Sequence, residues 1–295
     1  MLSINQGHLA QLEICPRKYQ YVFFDTLLGP STYEQHLTTQ WGSQFHLLMQ
    51  QQALDLPVGA LSQADSEMSN SLAALKQAAP EVFAYLPESR TGSESHSEIF
   101  SQSEHKRTLE FNGYLLTVVY DLLATDSSGS NQAANNGQIY DWKTHQSPPQ
   151  KEWLQQDWQT RLYPYVLCET SELTTEQVSM TYWFVRVGEE PAAPNGQKPS
   201  FHRFDYTLTQ HDQTRRDLQR LTNDLSQMIE AGEFPKVAVE KGYCDQCAFN
   251  LRCDRLSDGP RHHPTSQTHP PAQNPTQLLK AARQLTADSV EEIPL

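Results

Sequence analysis

The stretch Gln138-Ile139-Tyr140-Asp141-Trp142-Lys143-Thr144 decides the fold that this chain is predicted to adopt. It follows a polar loop, residues 126–137, and precedes two prolines. Its isoleucine, tyrosine and tryptophan favour a β-strand bounded by turn residues. Because side chains two apart in a strand point to the same face, Asp141 and Lys143 are expected to lie together, with Trp142 on the opposite face.

The pair formed by Asp141 and Lys143 has two possible roles. A carboxylate beside an ammonium group can be a surface ion pair, which contributes little to stability. The same pair can be half of a metal-dependent hydrolytic site, in which the carboxylate binds a hard cation and the lysine orients or activates the attacking water. The rest of the chain has to decide between these two roles.

Composition and charge narrow the classes of protein to which the chain can belong. The sequence has 295 residues, of which 37% are hydrophobic, and a formal net charge of -13. This charge argues against broad electrostatic adhesion to nucleic acid or anionic lipid, so a nucleic-acid partner would need a local basic groove or metal ions. No apolar run approaches the roughly 20 residues that span a bilayer. The first residues also lack a secretory signal, so we expect a cytoplasmic protein without membrane contact.

A second carboxylate lies in the strand that precedes the polar loop. Residues 116–123 are apolar apart from Thr117 and Asp121, and an acid buried alone in such a strand is costly. Asp121 can lie exposed or paired at the end of its strand, or it can converge with Asp141 of a neighbouring antiparallel strand on one divalent cation. Mg²⁺ suits the second arrangement, because it takes oxygen ligands and keeps several waters.

Two predicted helices carry polar pairs at a spacing of four residues, which places both members on one helix face. These pairs are Gly42 with His46 and Gln159 with Tyr163, although each side chain taken singly can also be a packed core residue. Asn112-Gly113 is typical of a hairpin turn. The predicted helices span residues 3–28, 41–54, 64–79, 151–168 and 209–231. Cys15-Pro16 interrupts the first of them, and Pro16 is expected to kink it or to begin a second helix. The predicted strands span residues 97–103, 107–112, 115–124, 138–144, 178–187 and 200–207.

In this order, these residues resemble the motifs of the PD-(D/E)XK nuclease superfamily, and within it the RecB-like branch. Asp121 and the triplet Asp141-Trp142-Lys143 are similar to the core acidic and D-x-K motifs. His46 is similar to the metal-binding helical histidine of that branch. Gln159 and Tyr163 are similar to its Q-x-x-x-Y motif, which borders the site.

The resemblance implies an α/β fold with a restriction-endonuclease-like core, in which helices flank a central mixed β-sheet. It runs from residue 15 to residue 253, and it departs from the family at Val118, where a glycine is common. The implied ligands of Mg²⁺ or Mn²⁺ are His46, Asp121, Asp141 and the backbone carbonyl of Trp142. The implied catalytic residues are Asp121, Asp141, Lys143, Gln159 and Tyr163.

Four of the five cysteines form a second predicted site. Cys244, Cys247 and Cys253 give three thiolates on a short segment, and Cys15 can supply a fourth. Zn²⁺ and a [4Fe–4S] cluster both accept four thiolates, and the spacing alone does not choose between them. Iron–sulfur members of the RecB-like branch place one cysteine before the nuclease core and three after it, so the resemblance favours the cluster over structural zinc. Cys168 fits neither set and is interpreted as a buried thiol.

We predict a single RecB-like nuclease domain over residues 1–256, whose N- and C-terminal segments join at the four-cysteine site. Its parts are a helical segment (1–95), the sheet core (96–207) and a C-terminal helix with the cysteine cluster (208–256). The tail, residues 257–295, is predicted to be mostly disordered, because it is rich in proline, histidine, serine and threonine without periodicity.

The predicted function is metal-dependent hydrolysis of DNA by a single-strand-preferring exonuclease that acts on DNA ends in repair, recombination or defence. The alternative is a non-catalytic, nuclease-like module that binds DNA ends or a helicase. The chain contains no Gly-x-x-x-x-Gly-Lys-Ser/Thr loop. It is therefore not expected to bind ATP, and a helicase partner would be a separate chain.

Overall fold

The computed structural model of the protein falls into two compact units. The first comprises Met1–Ser3 and Thr32–Asp217, and the second comprises Ile4–Ser31 and Leu218–Leu295. The structure describes residues 1–27, 33–59, 65–86, 98–127, 135–145, 148–186 and 198–255. The predicted tail lies outside the described residues, and the predicted bounds of a single domain stay a prediction.

A mixed β-sheet of six strands organises the first unit, which agrees with the predicted fold class. The strands are β1 (Leu2–Ile4), β2 (Glu98–Phe111), β3 (Tyr114–Ser127), β4 (Asn135–Lys143), β5 (Val178–Phe184) and β6 (Ser200–Asp205). Their order is β1-β3-β4-β5-β6, and β2 also pairs with β3. The β2–β3, β3–β4 and β5–β6 pairs are antiparallel, whereas β4 and β5 are parallel. A parallel pair needs a crossover connection, and helices supply it here.

Strands β2 and β3 form a long hairpin with a two-residue turn. Asn112 and Gly113 both have positive φ angles, 48° and 82°, which is the backbone that such a turn requires. The turn sets Phe111 opposite Tyr114, and the same register continues along the hairpin. The sequence predicted two strands, 97–103 and 107–112, where the structure has one strand. The interruption coincides with Glu104, whose φ of 50° departs from extended backbone.

The helices differ from the predicted ones in two places, the start of the first helix and a break before Gln159. The predicted helix 3–28 begins later than expected, because Leu2–Ile4 form β1 and Asn5 caps the first helix instead of Ser3. The predicted interruption is confirmed, since Cys15 is extended and Pro16 begins a second helix. The predicted helix 151–168 is interrupted at Asp157, which is also extended. The helices are α1 (Gln6–Ile14), α2 (Pro16–Tyr19), α3 (Tyr33–Ala53), α4 (Ser66–Ala78), α5 (Pro80–Phe83), α6 (Lys151–Gln156), α7 (Trp158–Glu169) and α8 (Leu208–Ala231). Shorter helical turns span Gln20–Phe24, Thr175–Gln177 and Val239–Lys241.

In the first unit, one continuous apolar core joins helices α3, α4 and α5 to strands β3, β4 and β5. Phe45 and Leu48 of α3 and Leu75 of α4 are fully buried in it. Trp142 of β4 is also buried in this core. The core therefore fixes α3 against the sheet. No helix in the described part of the chain is long and apolar enough to cross a membrane.

In the second unit, aromatic rings connect the N-terminal segment to the residues that follow α8. Tyr19 and Phe24 contact Phe234, with ring centroids 6.5 Å and 5.4 Å from it. The backbone N–H of Arg17 donates to the carbonyl of Pro235 at 3.0 Å. Aromatic pairs of this kind add to the stabilisation that burial gives. They hold the N-terminal segment beside the residues that follow α8 within this unit.

Candidate metal centre

The pairing of β3 with β4 brings two carboxylates to one face of the sheet. The register sets Leu122 opposite Tyr140, and one further step along both strands sets Asp121 opposite Asp141. Residues directly opposite each other in an antiparallel pair point to the same face. Both aspartates are buried, with 2% and 3% of their surface exposed. Ionised carboxylates at such depth need partners, because burial penalises their charge.

The carboxylate of Asp121 is fixed by a backbone hydrogen bond. The N–H of Trp142 donates to its Oδ2 atom at 2.7 Å. Its Oδ1 atom lies 3.3 Å from Nδ1 of His46. A hydrogen bond from the backbone leaves the side chain little rotational freedom, so the direction of Oδ1 is set by the fold.

Asp141, Lys143 and Gln159 form a closed network of buried polar side chains. Nζ of Lys143 lies 2.8 Å from Oδ1 of Asp141, and it donates to Oε1 of Gln159 at 2.8 Å. Nε2 of Gln159 donates to Oδ2 of Asp141 at 2.5 Å. The alternation of β4 places the charged pair on one face, and Trp142 packs into the core on the other face. Such mutual satisfaction makes a buried polar network rigid.

The break before α7 delivers Gln159 to this network. Asp157 caps the helix, since its Oδ1 atom accepts the backbone N–H of Gln159 at 2.7 Å. Gln159 is thus the second residue of α7. A helix begins with partial positive charge, which favours nearby carboxylates. The cap therefore sets the position of the amide that reaches Asp141.

Tyr182 of β5 lies beside the lysine in the same row of the sheet. The parallel register sets Tyr182 opposite Asp141, and Nζ of Lys143 lies 5.0 Å from the centre of its ring. The hydroxyl groups of Tyr182 and Thr160 are 2.8 Å apart. A cation over a tyrosine ring is stabilised by the electrostatic field of the ring, so this contact helps to retain a buried charged lysine.

His46 approaches the aspartates from α3, and a glycine makes that approach possible. A Cβ atom added to Gly42 would lie only 2.9 Å from Oγ1 of Thr144, the residue that follows Lys143. Gly42 and His46 are one helical turn apart and share a face. The absence of a side chain at Gly42 therefore lets α3 pack closely on the end of β4 and carries His46 to Asp121.

Glu104 of β2 joins this site, and it was not among the residues predicted from the sequence. Ligand atoms of Glu104, His46 and Asp121 all lie within 4.8 Å of one another. The predicted turn at Asn112-Gly113 could have identified Glu104 from the sequence. The turn pairs Phe111 with Tyr114, and counting away from it along both strands sets Glu104 opposite Asp121. Splitting β2 into two predicted strands concealed that register.

Burial raises the pKa values of two acids at this site. The pKa of Asp141 is raised to about 6 by its burial, and the positive charge of Lys143 acts in the opposite direction. The pKa of Glu104 is raised to about 7 by burial and by the negative charge of Asp121. Crowded carboxylates disfavour one another's ionisation. A divalent cation would relieve that repulsion, since it is the largest local charge in such a site.

Tyr163 occupies a different environment from the other predicted site residues. Its ring has 1% of its surface exposed and packs edge-on against Tyr120, with centroids 5.4 Å apart. Its carbonyl accepts a hydrogen bond from the Tyr120 hydroxyl at 3.1 Å. The structure thus brings Gln159 into the polar network, whereas the ring of Tyr163 packs in the interior of the first unit.

Four cysteines line one cavity in the second unit. The cavity, of about 40 Å³, is bordered by Cys15, Cys244, Cys247 and Cys253, and also by Lys18, Lys236 and Arg255. Among the described residues, no three of these sulfur atoms lie within 4.8 Å of one another. Zn–S bonds of about 2.3 Å would hold tetrahedral sulfur atoms closer than that. Cys168 lies apart in α7, and burial raises its pKa to about 12.

The arrangement in the first unit has the parts of a hydrolytic metal site. It offers a histidine nitrogen and several carboxylate oxygens, a donor set that accepts Mg²⁺ or Mn²⁺. It also offers a buried lysine whose charge is retained by Asp141 and Gln159. A cation and an ammonium group on one face of a sheet can together stabilise negative charge that develops on a phosphate or carbonyl oxygen.

Comparison with known proteins gives one match over most of the chain. The family described as the PD-(D/E)XK nuclease superfamily matches residues 3–254. No curated protein matches the chain.

Two solved structures are similar in outline to this chain. A candidate exonuclease of Eubacterium rectale is 9% identical with a TM-score of 0.45, and the match covers 88% of this chain and 91% of that one. The crystal structure of SSO0001 is 14% identical with a TM-score of 0.33, and the match covers 86% and 87% of the two chains. At these identities and TM-scores, neither likeness bears on function.

Proposed function

The chain belongs to the PD-(D/E)XK nuclease superfamily, and from that premise we propose that it is a divalent-metal-dependent deoxyribonuclease that hydrolyses phosphodiester bonds. The observation that carries this proposal is the closed network of Asp141, Lys143 and Gln159, which lies beside Asp121 on one face of the sheet. A buried charged lysine and two buried carboxylates are costly to the fold. Their retention is explained if they act on a substrate.

We propose that the active-site ion is Mg²⁺ or Mn²⁺. Its donors would be His46, Asp121, Asp141 and the backbone carbonyl of Trp142. These residues fit the ion, because they supply one nitrogen and several oxygens as ligands. The carboxylates at this site lie close together and repel one another, and a cation would offset that repulsion. When bound, a divalent ion acts as a Lewis acid that stabilises the charge on the phosphate oxygens.

The side chains divide the remaining work among them. Lys143 orients the water that attacks phosphorus, and its own position is set by Asp141 and Gln159. Gln159 acts through the other two, since both of its amide atoms are engaged with them. Tyr163 supports the site from the core, where it packs against Tyr120. Substitutions at Lys143 and Gln159 test these roles separately.

We propose that the substrate is DNA with a single-stranded end, cut by exonuclease action in repair, recombination or defence. A separate helicase chain would supply such ends, because this sequence has no Gly-x-x-x-x-Gly-Lys-Ser/Thr loop of its own. The net charge of -13 opposes binding of long duplexes through charge alone. It favours engagement of the substrate at the metal site, where a cation offsets the negative charge of both molecules.

For the second unit we propose a structural [4Fe–4S] cluster of the RecB-like branch, held by the four cysteines that line the cavity. The donor set fits, because four thiolates are the ligands that such a cluster takes. The cations of Lys18, Lys236 and Arg255 border the same cavity and offset thiolate charge. The preference for the cluster over structural zinc rests on the resemblance to iron–sulfur members of the RecB-like branch, which place one cysteine before the nuclease core and three after it.

The nuclease proposal is tested with end-labelled linear single-stranded DNA, linear duplex and circular single-stranded DNA, each with Mg²⁺ or Mn²⁺. We expect the wild-type protein to degrade the linear single strand and to leave the circle intact. Asp141→Asn and Lys143→Met should both abolish cleavage. Asp205→Asn is the matched control, because this aspartate is exposed on β6 and pairs only with Arg203 among the contacts described.

Two results would count against the proposal in different ways. Equal cleavage by wild type and by Lys143→Met would show that the activity comes from elsewhere. Binding of DNA ends by a wild-type protein that does not cleave them would favour the alternative, a non-catalytic nuclease-like module. Val118 replaces a common glycine of the family and is buried in β3, which is the observation that keeps this alternative in view.

A further inference from the structure

We propose that Glu104 is a further ligand of the divalent cation, bound on the side of Asp121 that already meets His46. The inference rests on the proposed metal-dependent function of this site, and it adds a residue that the D-x-K and histidine motifs do not include. It comes from the pairing of β2 with β3 and from the distances among three side chains. The ion would then have a donor on β2 in addition to the proposed donors on α3, β3 and β4.

The register of the hairpin places Glu104 across from Asp121. Ser103 pairs with Leu122 and His105 pairs with Tyr120, so Glu104 and Asp121 occupy the intervening position. This position lacks the regular backbone pairing that its neighbours have. The hydroxyl of Ser103 donates to the carbonyl of Asp121 at 2.8 Å. This bond takes the place of a backbone hydrogen bond between the two strands.

The backbone at Glu104 supports a specific direction for its side chain. Its φ of 50° lies in the left-handed region, which is unfavourable for a residue with a Cβ atom and is rare inside a strand. Glycine or asparagine would adopt this conformation at lower cost. A glutamate retained there directs its carboxylate to within 4.8 Å of the ligand atoms of His46 and Asp121.

The two aspartates differ in how their oxygen atoms are bonded. Oδ2 of Asp141 accepts a hydrogen bond from Gln159, whereas its Oδ1 atom lies 2.8 Å from Nζ of Lys143 and has no hydrogen-bond partner among the described residues. Oδ2 of Asp121 accepts the N–H of Trp142. Oδ1 of Asp121 faces the other way, toward the histidine. A cation on that side can be reached by Glu104 without breaking the network around the lysine.

The resulting set is suited to a hexacoordinate ion. One imidazole nitrogen and two carboxylate oxygens give three ligands, which leaves positions for further protein oxygens, for water and for a substrate phosphate. Mn²⁺ takes the same carboxylate, carbonyl and water ligands as Mg²⁺, and it is the one of the two ions that gives an electron paramagnetic resonance signal. Mn²⁺ alone is therefore the appropriate probe of this site.

The test measures Mn²⁺ affinity without DNA, by the electron paramagnetic resonance signal of free Mn²⁺ and by calorimetry. We expect Glu104→Gln to weaken Mn²⁺ binding by at least about 10- to 100-fold. Loss of a side chain that only hydrogen-bonds to a metal ligand already has an effect of that size. Glu104→Asp should retain part of the affinity. Glu110→Gln, exposed on the same strand, is the matched control and should bind Mn²⁺ as the wild type does.

A second variant keeps the test decisive if Glu104→Gln folds poorly. Glu104→Gly removes the carboxylate and accepts the left-handed backbone, so it should fold at least as well as the wild type. It should bind Mn²⁺ as weakly as Glu104→Gln. Wild-type affinity in a folded Glu104→Gly protein would overturn the inference, even if the wild type cleaves DNA. Loss of Mn²⁺ binding in a protein whose wild type never cleaves DNA would uphold it and overturn the proposed function instead.

Discussion

Nζ of Lys143 lies 2.8 Å from Oδ1 of Asp141, and only 7% and 4% of their side-chain surfaces are exposed. The sequence left open whether this pair is an exposed ion pair of little consequence, and the structure shows that it is buried. Burial of two charges costs several kcal/mol per ion by general estimates, which a single contact rarely offsets in full. The remaining cost is met by Gln159, which bonds to both residues.

The first prediction concerns that amide. Gln159→Leu preserves volume but leaves Lys143 and Asp141 without their shared partner, so the rate of DNA cleavage should fall about 10- to 100-fold, as for other residues that orient metal ligands. The loss should appear mainly in kcat, because the amide contacts the catalytic groups rather than the substrate. Gln155→Leu, exposed on α6, is the control. Wild-type kcat in Gln159→Leu would contradict the role assigned to Gln159.

The second prediction concerns the pH dependence of the metal-free protein. Burial raises the pKa of Glu104 to about 7, from an ordinary value of 4.5. The folded protein therefore binds more protons than the unfolded chain between these pH values, and the free energy of unfolding falls as the pH rises through that window. Glu104→Gln should abolish this contribution. Thermal melts in EDTA should show the variant more stable than wild type at pH 7.5 and equal to it at pH 4.5.

A divalent cation should reverse this order, which provides the check on the second prediction. With saturating Mn²⁺ at pH 7.5 the wild type gains stability from ligand binding, and Glu104→Gln gains less. Identical pH profiles of the two metal-free proteins would show that Glu104 is not held in an unfavourable charged state.

The third prediction concerns the close packing of α3 on β4. Gly42→Ala would place a Cβ atom 2.9 Å from Oγ1 of Thr144, which forces a shift in a packed region. Overpacking of this kind typically costs about 1–3 kcal/mol, and here the shift also moves Thr144, next to Lys143. We expect lower stability in urea together with slower cleavage. Ser43→Ala, at an exposed neighbouring position, should change neither quantity.

The fourth prediction concerns the four-cysteine cavity of the second unit. Protein purified without oxygen should be brown and contain about four iron atoms per chain, the content of one [4Fe–4S] cluster. Cys253→Ser and Cys15→Ser should lose iron and melt at lower temperature, because the site joins distant segments of the chain. Cys168→Ser should keep its iron. One zinc ion per chain in colourless wild-type protein would favour the zinc site.

The sequence predicted those parts of the site that follow from local periodicity. Alternation within β4 sets Asp141 and Lys143 on one face of the strand. A spacing of four residues sets Gly42 and His46 on one face of helix α3. The mixed sheet and the antiparallel pairing of β3 with β4 were confirmed by the structure. These predictions need no knowledge of distant parts of the chain.

Two features could not be predicted from local patterns. The helix around Gln159 begins only at Trp158, after the extended residue Asp157, and a continuous helix would have satisfied the same apolar spacing. The left-handed backbone of Glu104 is the second. A strand-forming sequence gives no indication that one of its residues is strained, because the compensation comes from side chains on other elements.

The two-residue turn at Asn112 and Gly113 fixes the register of the hairpin, and that register sets Glu104 opposite Asp121. It lies eight residues from Glu104 and eight from Asp121, and it touches neither. One residue inserted into either arm of the hairpin would shift the pairing by a step and turn one of the two carboxylates to the opposite face of the sheet. Insertions between the turn and the site should thus be poorly tolerated, even though the turn itself is far along the chain from any ligand.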